Sequence, residues 1–129
     1  MARIYQHILK DIRTDFRVVY GMDGYDEITL TDNTRVLGKH VDAIVNHETF
    51  SINPVHPSKL FAGATVQDAA KLMRQILSGQ GTPAQNQVVA ANVASALQLY
   101  EPNAELVDLY NASIDFIEKG AAIQLLNFN

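Results

Sequence analysis

Apolar positions along this chain follow two periods, a helical one at both ends and an extended one between them. Near the start, Ile4, Ile8, Leu9 and Ile12 share one helical face, which predicts a short amphipathic helix of about ten residues. Phe16-Arg17-Val18-Val19-Tyr20 is β-branched and aromatic and stops at Gly21, which predicts a strand. Ile28-Thr29-Leu30-Thr31 alternates, Asp32-Asn33 is a turn signal, and Thr34-Arg35-Val36-Leu37 resumes extended character, so a hairpin is expected there. Ala43 to Ile52 is a candidate for another strand. Asn53-Pro54-Val55-His56-Pro57 breaks the pattern and separates this β-rich half from the second half of the chain.

The second half is helical and well punctuated. Thr65 with Asp68 resembles a capping box, and Ala69, Leu72, Met73, Ile76 and Leu77 form a stripe that ends at Gly79. Thr82-Pro83-Ala84-Gln85 is a stronger start: Thr82 caps, Pro83 suits the first helical position and Gln85 reaches back. That helix should run to about Tyr100, with a narrow, alanine-rich face of Val89, Val93, Ala96 and Leu97 packed closely between neighbours. A further helix is expected from about Asn103 to Gly120 through Leu106, Leu109, Tyr110 and Ile117, and one more turn through Ile123, Leu125 and Leu126. Together these elements predict one α/β unit over residues 1–129, with a partial, hairpin-containing sheet of three to four strands followed by three to four helices. Such an order supplies a sheet edge without the crossovers that complete a parallel layer, as half of a larger domain would.

Composition narrows the function classes. Hydrophobic residues make up 47% and charged ones 19% of 129 residues, an ordinary globular balance. The formal charge of −4 comes without a basic run, which argues against nucleic acid as a partner. The chain has no cysteine, so disulfides and thiolate metal sites are excluded. No stretch has the length and apolarity of a signal peptide or a membrane span, and a soluble, cytoplasmic protein is expected.

Candidate chemistry centres on Gly21-Met22-Asp23-Gly24-Tyr25-Asp26-Glu27-Ile28, a glycine-punctuated turn between apolar runs. Spacing alone leaves two readings of it open. Asp26 and Glu27 have the character of a Mg²⁺ site, because Mg²⁺ is commonly held by one or two carboxylates plus substrate phosphates. A solvated turn is the commoner origin of such runs, since Asp and Gly favour turns for backbone reasons. Asp23 ranks below its two neighbours as an electrostatic helper.

Gly24-Tyr25-Asp26-Glu27-Ile28-Thr29-Leu30-Thr31, then Thr34-Arg35-Val36, a breaker, and Gly79-Gln80-Gly81-Thr82 leading into Gln85-Asn86-Gln87-Val88-Val89-Ala90-Ala91-Asn92-Val93-Ala94 together form a longer pattern. It resembles the carboxy-terminal part of the anthranilate phosphoribosyltransferase family, and Ile117-Glu118-Lys119-Gly120-Ala121-Ala122 looks like that family's last helix. The resemblance covers nearly the whole chain. It implies the carboxy-terminal part of a larger α/β phosphoribosyltransferase domain, from an enzyme that transfers phosphoribosyl from phosphoribosyl pyrophosphate to anthranilate in tryptophan biosynthesis. Carried over residue by residue, it gives Asp26 and Glu27 the binding of Mg²⁺ carried by phosphoribosyl pyrophosphate, with Mg²⁺ as the cofactor.

The family's Gly-Thr-Gly-Gly-Asp phosphate loop, its Lys-His-Gly-Asn segment and its anthranilate-binding arginine have no counterpart in this pattern. Lys39-His40 is followed by Val41-Asp42 and lies after the acidic turn, so it matches neither in sequence nor in order. Gly79-Gln80-Gly81-Thr82 is read as a helix end and a helix start rather than a phosphate cradle. A carboxy-terminal fragment, inactive alone, is therefore expected, with an open sheet edge and apolar face that self-associate or pair with the missing part. Rival expectations are a fragment of a pyrimidine nucleoside phosphorylase, with a similar acidic turn, and a non-catalytic interaction domain retaining the fold.

The remaining candidates are structural. His7, His40, His47 and His56 lack ligand spacing, although His47 and His56 could meet near Glu48 across a hairpin. Asn92 is read as satisfying a buried backbone group and Arg35 as an exposed hairpin arginine.

Overall fold

The computed structural model describes residues 1–126. Helix α1 (Ala2–Leu9) leads into strands β1 (Arg17–Gly21), β2 (Thr34–Gly38) and β3 (Asp42–Val45), followed by helices α2 (Val66–Leu77), α3 (Pro83–Leu97) and α4 (Leu106–Glu118). Short 3₁₀ turns occupy His47–Phe50, Pro57–Lys59 and Ala121–Leu126, the last over the turn expected at Ile123 to Leu126.

The strands form one antiparallel meander in the order β1-β2-β3. Val19 opposes Val36 in one pair, and Thr34 opposes Val45 in the other. The hairpin expected between Ile28–Thr31 and Thr34–Leu37 does not form, because β2 takes β1 as its partner and residues 28–31 are irregular. Burial explains the difference. Ile28, Thr29 and Leu30 are consecutively buried, at 0%, 1% and 0% exposure, whereas a sheet strand with one wet face buries alternate residues. Leu30 also has φ 62°, outside the extended region. Its carbonyl accepts from Val55 N at 3.0 Å, so the segment is wrapped inside the fold.

The third strand is shorter than Ala43 to Ile52 for a local reason. Asn46 accepts from Glu48 N and Thr49 N and closes a capping box with Thr49, turning the chain into the 3₁₀ segment. Asn side chains compete with the strand ladder in this way.

Both expected helix starts are present. Thr65 and Asp68 form a reciprocal capping box on α2, and Thr82 and Gln85 form one on α3 with Pro83 at its first position. Helix α4 starts at Leu106, after the expected Asn103. Gly79 and Gly120 are left-handed, with φ 78° and 68°. A Cβ on Gly79 would lie 2.6 Å from Glu118 O, and one on Gly120 would lie 2.6 Å from Ser78 O. The ends of α2 and α4 thus meet backbone to backbone, and the glycines terminate helices as expected.

Two helical faces depart from expectation. In α3 the buried residues are Ala84, Asn86, Ala90, Ala91, Ala94 and Ser95, while Val93, Ala96 and Leu97 of the expected face are exposed. Small side chains let α4 approach closely, and its Leu109, Tyr110, Ser113 and Ile117 are buried. Only Ile76 of the expected α2 stripe is buried, and Met73 is 56% exposed.

One core joins the β-rich and helical halves. Ile28, Leu30, Val36, Val45 and Phe50 pack with Ala90, Ala91, Ala94 and Tyr110. The Phe50 and Tyr110 rings lie 4.8 Å apart and tilted by 40°, a favourable aromatic pairing.

Candidate functional site

The acidic loop is built by the ends it connects. Strand β1 stops at Gly21, whose N–H donates to Tyr25 O at 2.7 Å, while Gly24 N donates to Gly21 O at 3.2 Å. Gly24, at φ 94°, makes that tight return in a region open to glycine. Met22 N donates to Asn33 O at 2.8 Å and closes the base of the loop beside β2.

Two side chains then hold the inside of the loop. The Asp23 carboxylate accepts from the hydroxyls of Thr29, at 3.3 Å, and Thr31, and those hydroxyls are 2.7 Å from each other. From α3, Asn92 Oδ1 accepts from Ile28 N at 3.0 Å, while its Nδ2 donates to Ile28 O and Val88 O, each at 2.9 Å. Asn92 does satisfy buried backbone, as expected, and the backbone is that of the residue following Glu27.

Asp26 and Glu27 lie on the outer side of this frame. Both are exposed, and among the described residues neither side chain has a hydrogen bond or ion pair. Asp26 borders a concavity of about 440 Å³ between α1 and β1, shared with Arg3, Tyr5, Val19 and Tyr20. Among the described residues, no three His, Cys, Asp or Glu side chains gather into a group able to hold a metal ion. Asp26 and Glu27 offer carboxylate oxygen, the donor type of which a hard cation takes one or two before it completes its shell with water or phosphate.

The other polar candidates have structural partners. Arg35 Nε and Nη2 donate to Asp42 Oδ1 and Oδ2, each at 2.8 Å, across β2 and β3. This fork raises the Arg35 pKa and holds the Asp42 carboxyl below its ordinary value, chiefly through their hydrogen bond. Lys39 Nζ donates to Ile12 O at 3.1 Å. His56 Nδ1 lies 2.8 Å from Ser58 Oγ and caps a 3₁₀ turn, and it joins no metal group with His47 among the described residues. The sequence singles out the acidic pair as a candidate but does not show that Asp23 and Asn92 hold its loop. The signal available for Asn92 was an amide standing in a run of Ala and Val.

The described residues contain no helix long and apolar enough to cross a membrane. In solved structures, the fold is similar to anthranilate phosphoribosyltransferase from Saccharomyces cerevisiae in complex with PRPP and Mg. The TM-score is 0.80 at 19% identity, covering 97% of this chain and 36% of that one. The enzyme of the same name from Thermus thermophilus superposes with a TM-score of 0.74 at 22% identity, over 87% of this chain and 33% of that one. In sequence, the chain is 32% identical to anthranilate phosphoribosyltransferase from Cytophaga hutchinsonii, over 96% of this chain and 38% of that protein. For the Flavobacterium psychrophilum enzyme of that name, identity is 36% over 75% of this chain and 29% of the relative. The chain thus spans well under half the length of these relatives. The model of the glycosyl transferase family, a/b domain, matches residues 1–123, and the chain belongs to that family.

Proposed function

We propose that this chain is the carboxy-terminal part of an anthranilate phosphoribosyltransferase, forming the active-site wall that carries Asp26 and Glu27. The complete enzyme would transfer phosphoribosyl from phosphoribosyl pyrophosphate to anthranilate, in the cytoplasm and in tryptophan biosynthesis. The observation that carries this reading is the acidic loop: two adjacent, exposed carboxylates without partners among the described residues, on backbone tied at Gly21, Met22 and Ile28. Relatives bearing that enzyme's name support it, as do the solved neighbours in complex with PRPP and Mg and with 4-fluoroanthranilate.

The residues fit Mg²⁺ delivered by a diphosphate. Asp26 and Glu27 offer hard oxygen donors, and an ion of this kind is commonly held by one or two carboxylates while it keeps its phosphates and waters. When bound, Mg²⁺ offsets the negative charge that grows on the departing pyrophosphate. The frame around the loop fixes the backbone that carries the carboxylates, so that only the two side chains need ordering on binding. Asp23, committed to two threonines, keeps the turn closed.

The same reading supplies a partner, the remainder of the domain, with self-association as the competing occupant of the open faces. Helix α1 has no buried residue, and Ile4, Ile8 and Ile12 are 60%, 62% and 40% exposed. A second apolar groove, of about 490 Å³, opens between α3 and α4 along Val89, Val93, Leu97, Phe116 and Leu125. Contiguous apolar surface of this kind marks an interface.

Mixing the chain with the remaining portion of the Cytophaga hutchinsonii enzyme tests both points. Conversion of anthranilate, followed by its fluorescence, is expected in the mixture and not with the chain alone. A mixture without turnover or binding of Mg²⁺ and phosphoribosyl pyrophosphate would favour a non-catalytic interaction domain that keeps the fold.

A further inference from the structure

We infer that Asn92 is a positioning residue for the Asp26 and Glu27 pair: its side-chain amide, set on α3, fixes where the loop carrying both carboxylates leaves the core. This inference rests on the metal-binding role proposed for the pair.

The geometry is that of a directed clamp. Asn92 meets both the N–H and the C=O of Ile28, at 3.0 and 2.9 Å, as a neighbouring strand would meet a residue in a sheet. The irregular segment around Ile28 has no ladder partner, and one amide from 64 positions away does that work. Its Nδ2 is also held by Val88 O, one turn back on the same helix, so the amide plane is oriented before it meets the loop.

Helix α3 gives the clamp a rigid base. Its start is fixed by the Thr82 and Gln85 capping box, and its alanine face is buried against α4. Ile28 is fully buried and Glu27, the next residue back, is exposed, so the clamp sits at the point where the chain crosses from core to solvent. Asp23 closes the loop internally through Thr29 and Thr31, but those bonds run within the loop and do not set its placement on the helices. Without Asn92, the loop remains a closed turn and Ile28 and Leu30 keep their place in the core, but the hydrogen bonds that set the exit of the chain against α3 are lost. Partners that orient metal ligands from outside the coordination shell typically change metal affinity by about 10–100-fold. Acting through backbone, Asn92 belongs at the lower end of that range.

The test uses the whole chain with Mn²⁺ and inorganic pyrophosphate, because Mn²⁺ shares the oxygen preference of Mg²⁺ and broadens nearby amide signals. Wild type is expected to show broadening centred on Asp26 and Glu27. Asn92→Ala and Asn92→Leu are expected to bind Mn²⁺ about tenfold more weakly at a temperature where each is folded. Leucine keeps the branching and the number of heavy atoms and favours helix, so it supplies the measurement if the alanine variant does not fold. Gln98→Ala is the control: it removes another side-chain bond to backbone, from Gln98 Nε2 to Ala104 O at 3.2 Å, away from the acidic loop. Its Mn²⁺ affinity should equal that of wild type even where its melting point falls. Unchanged affinity in both Asn92 variants, or equal weakening in Gln98→Ala, overturns the positioning role while leaving the metal site standing. Wild type without focused broadening at Asp26 and Glu27 overturns the metal site and the positioning role together.

Discussion

Replacing Asp26 with Asn and Glu27 with Gln together is expected to weaken Mg²⁺ binding in the presence of phosphoribosyl pyrophosphate by more than about 100-fold, the upper limit for loss of even an outer partner of a metal site. The substitution preserves shape and removes both negative charges from the only acidic pair on the framed loop. Stability should hardly change. Both residues are exposed and neither side chain has a partner among the described residues, and surface changes of that kind usually stay within about 0.5 kcal/mol. Calorimetric titration with Mg²⁺, beside thermal unfolding of the same sample, reads the two quantities separately. Lost binding with an unchanged melting point identifies the pair as ligands, whereas retained binding would make the loop a solvated turn.

The largest expected effect on stability comes from Phe50→Ala. Phe50 is 2% exposed, comes from the 3₁₀ turn after β3, and packs its ring 4.8 Å from that of Tyr110 on α4. It therefore joins the β-rich half to the helical half, and its removal leaves a cavity that the two sides cannot both collapse to fill. Loss of such a ring costs about 3–5 kcal/mol, against a total of about 5–15 kcal/mol for an ordinary domain. Urea unfolding should show that loss in the midpoint. Phe61→Ala, at a position 72% exposed, is the matched control and should change stability by no more than about 0.5 kcal/mol. Equal losses in the two variants would contradict the shared core.

What could be read from the sequence was local chemistry. Thr82, Pro83 and Gln85 announce the start of α3 because a cap is made by residues within one turn of each other. Gly79 and Gly120 announce helix ends for the same reason, although the close meeting of their backbones depends on the packing of α2 against α4. The acidic pair was legible as a candidate because two adjacent carboxylates on a glycine turn carry their chemistry in the sequence itself.

Long-range packing was harder to read. Alternation at Ile28 to Thr31 looks like a strand, yet a loop buried on all sides accepts the same residues, and contacts from distant parts of the chain, Val55 to Leu30 and Asn92 to Ile28, distinguish them. On α3, counting large apolar residues selects Val93 and Leu97, while close packing on α4 selects the alanines. The displaced stripe remains an open groove, which a hydrophobic pattern alone reports as core. Asn92 illustrates both limits: its residue type signalled a backbone partner, and the fold alone shows which backbone that is.

The role proposed for Asp26 and Glu27 is to hold the metal of a diphosphate sugar. To test it, this chain is labelled with ¹⁵N, paired with the unlabelled remainder of a relative, and titrated with phosphoribosyl pyrophosphate with and without Mg²⁺. Amide signals from Tyr25 to Ile28 should shift only when sugar diphosphate and metal are both present, and those shifts should vanish in the Asp26→Asn, Glu27→Gln double variant. Shifts confined to other parts of the chain, or the same shifts without Mg²⁺, would contradict the claim.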